Sequence, residues 1–183
     1  MVYIILGKGF EEIEAIAPGD ILRRARIPMM YAGVGGRKVE GAHGIIIEAD
    51  ISVEELKLEE LDMIVLPGGG EGVKAIEADP AAMAAVDYAV AQGKYVAAIC
   101  AAPMILGKRG FLDGRNAVCY PGCEPNMGKA IIHPEAEYVV DGQFITGRCP
   151  GAAIEFGLKL VDMFKSEYTS DEICQYMVYE KRN

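Results

Sequence analysis

The feature that most constrains the fold is an alternation of short apolar runs with longer stretches of helical character. The runs are rich in Val, Ile, Leu and Ala, as expected for strands buried on both faces of a largely parallel sheet. We predict eight strands: Tyr3–Leu6, Pro28–Ala32, Ile45–Glu48, Met63–Leu66, Tyr95–Ile99, Ala117–Tyr120, Glu137–Val140 and Gln143–Thr146.

Helical stretches separate these runs, and the chain ends with two of them. We predict helices at Glu11–Ala25, Ser52–Leu58, Val73–Ala78, Pro80–Gln92, Pro103–Lys108, Gly151–Phe164 and Ser170–Tyr179. The last two strands flank Asp141-Gly142, a typical two-residue hairpin turn that predicts an antiparallel edge. The pattern therefore predicts an α/β fold, a three-layer α/β/α sandwich with a mostly parallel sheet, whose ligands collect at the carboxyl ends of the strands.

The composition indicates one soluble, globular domain that spans residues 1–183. Because 51% of the residues are apolar, intrinsic disorder is excluded. No apolar run reaches the roughly 20 residues of a membrane span. The net charge of −9, without any cluster of Lys and Arg, disfavours nucleic acid and anionic lipid as partners.

The chain begins with an apolar strand instead of a secretory signal, and we therefore expect a cytoplasmic protein. Five cysteines, an odd number in a chain of this length, disfavour a disulfide framework. Cys119 and Cys123 lie four residues apart, but only His43 and His133 could complete a zinc site with them. We predict that the protein holds no metal.

Cys100 lies where the strand Tyr95–Ile99 turns into a helix that starts near Pro103. A thiol at such a turn projects from the edge of the sheet, and a helix N-terminus behind it would lower its pKa. The alternative is a small buried apolar cysteine without a chemical role.

Glycines follow the neighbouring strand Met63–Leu66, in the stretch Pro67-Gly68-Gly69-Gly70. Without side chains, their backbone N–H groups can approach a bound oxygen closely, as in an oxyanion hole. A nucleotide-binding loop would need a following Gly-Lys-Ser/Thr, which is missing, and a plain tight turn is the remaining alternative.

Acidic residues open the first predicted helix. Negative charge at a helix N-terminus is favourable, and this accounts for Glu11 and Glu12. Glu14 instead lies beside an apolar stripe on the helix, formed by Ile13, Ala17 and Ile21. It becomes a candidate site residue only if it meets the thiol of Cys100.

Four strings together resemble the ThiJ/PfpI superfamily, and within it the DJ-one/YajL-like branch: GKGFEEIEAIAP, VLPGGG, AAICAAP and GRCPGAAIEFGLKLVD. They occur in the order of the family, and the resemblance covers nearly the whole chain. It implies a flavodoxin-like fold without a cofactor.

The resemblance also implies a site in which Cys100 is the reactive thiol and Glu14 is the carboxyl that hydrogen-bonds it. The amides of Gly68, Gly69 and Ala101 would bind an oxyanion. An ionised carboxyl beside the sulfur would raise the thiol pKa, whereas a protonated one that donates a hydrogen bond would favour the thiolate. We therefore predict that Glu14 carries the proton.

The expected partner, again by resemblance, is a second copy of the chain. Arg148 and His43-Gly44 match positions that lie at the dimer interface of the branch, and Arg148 would be near the active site. The first helix supports this expectation, because it is apolar on more than one face near Ile13, Ile16 and Ile21.

Three positions depart from the pattern of the branch or have no role in it. Tyr120 stands where part of the branch has a histidine close to the thiol, and a tyrosine is a poor general base near neutral pH. Cys149 replaces a glycine and is either a resolving thiol for Cys100 or a small filler. His133 is expected to be a surface residue.

Protease and amidotransferase relatives carry a histidine directly after the nucleophile or in a following triad, but here Ala101 follows Cys100, which disfavours a peptidase. One remaining class is a cofactor-independent enzyme that acts on reactive 2-oxoaldehydes such as methylglyoxal or on glycated protein, a glyoxalase or deglycase. The other is a redox-responsive chaperone or oxidative-stress sensor that works through Cys100 oxidation. The branch also carries a thiamine (thiazole monophosphate) biosynthesis name, but no motif here indicates a phosphate site.

Overall fold

A computed structural model of the protein describes residues 1–164, 166 and 168–181. The strands within these residues are short, and most lie close to the predicted segments. They are β1 (Val2–Leu6), β2 (Met29–Gly33), β3 (Lys38–Glu40), β4 (Ile46–Glu48), β5 (Ile51–Ser52), β6 (Met63–Leu66), β7 (Tyr95–Ile99), β8 (Asn116–Ala117), β9 (Ile131–Ile132), β10 (Tyr138–Asp141) and β11 (Phe144–Gly147).

Helices connect these strands and close the chain. They are α1 (Glu12–Arg24), α2 (Gly70–Ala78), α3 (Pro80–Ala91), α4 (Pro103–Lys108), α5 (Ala153–Asp162) and α6 (Ser170–Met177). Asp79 caps α3 by accepting a hydrogen bond from the amide of Ala82, and proline takes the first position of this helix.

The central sheet has seven strands in the order β10-β11-β7-β6-β1-β2-β5. All neighbouring pairs are parallel except β10 and β11, which form the predicted antiparallel hairpin at the edge. The order β2-β1-β6-β7-β11 is that of a flavodoxin-like sheet, so the predicted fold class is confirmed.

The sheet is buried on both faces, each with its own hydrophobic core. One core packs sheet residues such as Ile4 and Val65 against α1, α5 and α6, and the other packs residues such as Ile5 and Ile64 against α2, α3 and α4. The three-layer sandwich follows from this alternation, because successive residues of a strand point to opposite faces. The carboxyl ends of β1, β6 and β7 meet at one edge of the sheet.

Two predicted strands differ from the structure. Ile45–Glu48 was expected in the main sheet, but β4 pairs with β3 in a separate antiparallel ribbon, where Ile46 remains 65% exposed. Of the predicted strand Ala117–Tyr120, only Ala117 lies in a strand, β8, because the residues after it leave the strand and contact the end of β7. In addition, the predicted helix Ser52–Leu58 is replaced by two short 3₁₀ turns.

The orientation of α1 also differs from the prediction. Ile21 packs in the core, but Ile13 is 54% exposed, so the two do not share a buried stripe. Glu14 lies on the buried face itself and has no solvent-accessible surface. This face of α1 turns toward the carboxyl ends of the strands, where polar groups are available to Glu14.

Candidate active site

Cys100 directly follows β7 in a strained backbone conformation. Its φ is +66°, a region that residues other than glycine rarely adopt. The Cys100 amide donates to the carbonyl of Gly147 over 2.9 Å, and its own carbonyl accepts from the amide of Tyr120 over 2.8 Å. The flanking strand and loop thus hold the sharp turn that was predicted, with the thiol side chain almost fully buried.

Gly68 brings the end of β6 into direct contact with this turn. A Cβ atom at Gly68 would lie 2.5 Å from Glu14 Oε2, 2.7 Å from Cys100 Cβ and 3.1 Å from Cys100 Sγ. No side chain fits in that space. The absence of a side chain at Gly68 is therefore what allows the carboxyl and the thiol to approach each other.

Glu14 reaches the thiol from the first turn of α1. Its Oε2 accepts a hydrogen bond of 2.8 Å from the amide of Gly68. Its Oε1 is buried and has no hydrogen-bond partner among the described residues. A buried oxygen without a donor is the favoured place for a proton, which would make Oε1 a hydrogen-bond donor.

Glu14 and Cys100 form one coupled acid pair. Burial raises the pKa of Glu14 to about 7, and the negative charge of Glu11 adds to this rise. Hydrogen bonding with the Cys100 thiol and with the Gly68 amide acts in the opposite direction. Burial and then the charge of Glu14 raise the pKa of Cys100. The pair therefore shares a single proton above pH 7 and holds two below it.

This result corrects the expectation that a helix N-terminus lowers the pKa of the thiol. The amides of Ala101 and Gly69 do lower the Cys100 pKa, but burial and an ionised Glu14 outweigh them. The helix α4 begins only at Pro103, beyond an intervening turn. The thiolate is favoured only while Glu14 carries the proton.

The three predicted oxyanion amides do not point to the same place. Those of Gly69 and Ala101 interact with the Cys100 sulfur, whereas that of Gly68 is occupied by Glu14. Gly69 has a φ of +87°, and a Cβ there would lie 2.3 Å from the carbonyl oxygen of Gly9. Only Gly69 and Ala101 are thus directed at the reacting atom.

Tyr120 and Arg148 lie next to the turn through their backbone. The Tyr120 amide bonds Cys100 directly, while its side chain is 46% exposed. Arg148 follows Gly147, the residue that accepts the Cys100 amide, and its guanidinium contacts the carbonyl of Glu135 at 3.4 Å. The Nε of Arg148 is buried without a partner among the residues described.

His43 lies on the loop between β3 and β4, against the first turn of α1. Its backbone amide donates to Glu12 Oε1 over 2.7 Å, and its Nδ1 lies 2.7 Å from Glu12 Oε2. This hydrogen bond raises the pKa of His43. Within the described residues, Glu11, Glu12 and His43 also form a group with potential metal-ligand atoms within 4.8 Å of one another, but these atoms already bond each other or the helix.

Comparisons with known proteins identify the family. The DJ-1/PfpI family model matches residues 1–163. The chain belongs to the DJ-1/PfpI family.

Two relatives in this DJ-1/PfpI family match the chain over most of their own length. Protein dj-1beta of Drosophila melanogaster is 34% identical over 174 residues, which cover 94% of this chain and 93% of the relative. Its crystal structure superposes with a TM-score of 0.93 over 98% of each chain, at 31% identity. A protein named a deglycase, from Pyrococcus abyssi, is 32% identical over 90% of this chain and 99% of its own.

A structure of oxidized DJ-1 from Toxoplasma gondii is also similar to this DJ-1/PfpI chain. It has a TM-score of 0.90 and 31% identity and covers 98% of both chains.

Among the described residues of the DJ-1/PfpI chain, no helix is both long and apolar enough to cross a membrane.

Sequence reasoning did not recognise Glu11 as part of this DJ-1/PfpI site. Its side chain is nearly buried, accepts the Glu14 amide over 2.8 Å and lies 4.0 Å from His43 Nδ1. The available signal was its position three residues before Glu14, the spacing of a helix cap.

His133 is exposed, as predicted, and bonds Asn116. Cys149 is a half-buried free thiol, and its role stays a prediction.

Proposed function

We propose that the protein is a cofactor-independent, cysteine-dependent enzyme that acts on reactive 2-oxoaldehydes or on their protein adducts. One observation carries this proposal: the Glu14 carboxyl is fully buried against Cys100, its Oε1 has no hydrogen-bond partner among the described residues, and its pKa is raised to about 7. A general acid and base works best with a pKa near the working pH. The deglycase name of the Pyrococcus relative supports the same reaction class.

The first step is addition of Cys100 to the aldehyde carbon of methylglyoxal. The sulfur forms a bond to that carbon, and the carbonyl π electrons move to the aldehyde oxygen. The proton of the pair, which Glu14 takes from the thiol, then passes to that oxygen to give a hemithioacetal. The amides of Gly69 and Ala101, which face the sulfur, are the proposed donors to the developing oxyanion.

The second step moves hydrogen between neighbouring carbons. Glu14 removes the proton from C1 of the hemithioacetal and delivers it to the C2 oxygen, which gives an enediol. The C1 hydroxyl of the enediol then loses its proton as C2 gains one. The product is a lactoyl thioester on Cys100. Water cleaves its carbon–sulfur bond and releases lactate, so that methylglyoxal plus water gives lactic acid. A deglycase reaction starts from the hemiaminal that the aldehyde forms with a protein amine. The sulfur forms a bond to C1, the C1–N bond breaks, and the amine leaves with the proton that Glu14 takes from the thiol.

Turnover of methylglyoxal by the purified protein tests this proposal. We expect lactate to form, and both Cys100→Ser and Glu14→Gln to abolish its formation. Cys174→Ser is the matched control, because Cys174 and Cys100 are each 8% exposed but Cys174 lies on α6. Wild-type turnover in Glu14→Gln would exclude Glu14 as the proton carrier.

A second candidate function is a redox-responsive chaperone or oxidative-stress sensor. Two equivalents of hydrogen peroxide would convert the Cys100 thiol to a sulfinic acid with release of two waters. A protonated Oε1 of Glu14 could then donate to a sulfinate oxygen. The similarity to the oxidized DJ-1 of Toxoplasma gondii gives this alternative its specific support. A stable Cys100 sulfinate in a protein without methylglyoxal turnover would favour it.

The proposed assembly is a homodimer of a single-domain chain, residues 1–183. Its support is an exposed apolar surface of three isoleucines: Ile13, Ile45 and Ile46, exposed by 54%, 54% and 65%. Ile13 lies on α1, and Ile45 and Ile46 lie just after His43 in the chain. Glu12 connects these two segments, since it precedes Ile13 and binds His43. Burial of such a surface by a second copy would place the interface beside the site.

A further inference from the structure

Glu11 is the residue at which the first turn of α1 is fixed. It is the N-cap of the helix, with extended backbone angles, and its Oε2 accepts the amide of Glu14 over 2.8 Å. The capped amide is that of Glu14 itself. The position of the Glu14 backbone, from which the carboxyl reaches Cys100, therefore depends on this side chain.

The backbone of Glu11 also binds the loop after β6. Its amide donates to the carbonyl of Gly68 over 3.0 Å, while the amide of Gly68 donates to Glu14 Oε2 over 2.8 Å. A Cβ at Gly69 would lie 2.7 Å from the Glu11 nitrogen. Glu11, Gly68 and Glu14 thus form a closed set of hydrogen bonds behind the thiol.

The charge of Glu11 acts on the same group. Glu14 is faced by the Cys100 thiol from β7, the Gly68 amide from β6 and the Glu11 carboxylate from its own helix. Glu11 is in turn faced by His43, 4.0 Å away, from the loop between β3 and β4. A negative charge held close to Glu14 disfavours its ionised form and raises its pKa.

We propose that Glu11 is a positioning residue, which fixes the Glu14 carboxyl against Cys100 by capping α1 and keeps the proton on it by its negative charge. It does not touch the reacting atoms. Its kinetic consequence rests on the function proposed above, because it acts through Glu14.

The test is a pH titration of the Glu14 carboxyl by difference infrared spectroscopy, with the band assigned by its loss in Glu14→Gln. Glu11→Gln keeps an acceptor oxygen for the cap but removes the charge. We expect it to lower the titration midpoint of Glu14 by about one pH unit. Glu11→Asp keeps both cap and charge and should leave the midpoint near that of the wild type.

Asp79→Asn provides a matched control. Asp79 caps α3 in the same way, since its Oδ1 accepts the third helical amide over 2.8 Å. The Asp79→Asn variant should leave the titration midpoint of Glu14 unchanged. An unchanged midpoint in Glu11→Gln, or an equal shift in Asp79→Asn, would overturn the inference.

Kinetics separate this inference from the proposed function. If the protein turns over methylglyoxal, the rising limb of its pH profile should move to lower pH in Glu11→Gln by the same shift as the infrared midpoint. If it shows no turnover, the proposed function fails, but the infrared midpoint still decides the role of Glu11.

Discussion

Replacement of Glu14 by Gln should remove a pH dependence of folding stability. The pKa of Glu14 is raised from 4.5 to about 7 in the folded protein, chiefly by burial. The folded state therefore holds this proton more tightly than the unfolded chain does. The contribution of this proton to the free energy of unfolding is fully present below pH 4.5 and is lost as the pH rises through 7.

The size of the loss follows from the shift. Linkage with these two pKa values lowers the free energy of unfolding by about 2.5 kcal/mol between pH 5 and pH 8. In Glu14→Gln, the amide oxygen can accept the Gly68 amide and the NH₂ group can take the place of Oε1, so nothing at this position titrates. The variant should therefore be more stable than the wild type at pH 8.

Urea unfolding at pH 5, 6, 7 and 8 measures this difference. His43, whose pKa is raised, also favours the folded state at lower pH, but it is present in both proteins and cancels in their difference. Most of the change in the difference between the two free energies of unfolding should be complete by pH 7. The Cys100 thiol should not contribute to this change, because its raised pKa keeps it protonated between pH 5 and pH 8. Parallel stability curves for the two proteins would show that Glu14 does not titrate near 7 and would refute the reasoning.

Three further predictions concern the surroundings of the pair. Gly68→Ala should reduce methylglyoxal turnover at least 100-fold, measured as lactate formation, because the new Cβ would lie 2.5 Å from Glu14 Oε2; near-normal turnover would contradict the close approach. The His43 ring should titrate above 6.5 in an NMR experiment, and Glu12→Gln should lower that midpoint, since their hydrogen bond is the main cause of the shift. Ile46→Glu should convert a dimer to a monomer in light scattering, whereas a wild-type particle of 19.7 kDa would remove the basis for a dimer.

Local sequence was sufficient to predict the elements that carry the site. Tyr95–Ile99 is β7 and Met63–Leu66 is β6, with the predicted bounds, because a continuous apolar run between turn residues has few ways to be buried. The turn at Cys100 and the hairpin at Asp141-Gly142 were likewise predicted, since both depend on residues adjacent in the chain.

Elements whose packing depends on distant residues were predicted less well. Ile45–Glu48 has the composition of a buried strand, yet β4 lies outside the central sheet, because the edge position next to β2 is taken by β5. Ile13 has the spacing of a core residue on α1 and is exposed. Periodicity gives the relative placement of residues on a helix, but the tertiary packing decides which face is buried.

The sequence by itself determined the order of strands and helices and, through its motifs, the pairing of Cys100 with Glu14. Only the tertiary structure decided the acid–base character of that pair. Glu14 and Gly68 are 54 residues apart, and their hydrogen bond and the burial of the carboxyl exist only when α1, β6 and β7 meet. A pKa depends on solvation and neighbouring charge, and both are properties of the folded environment.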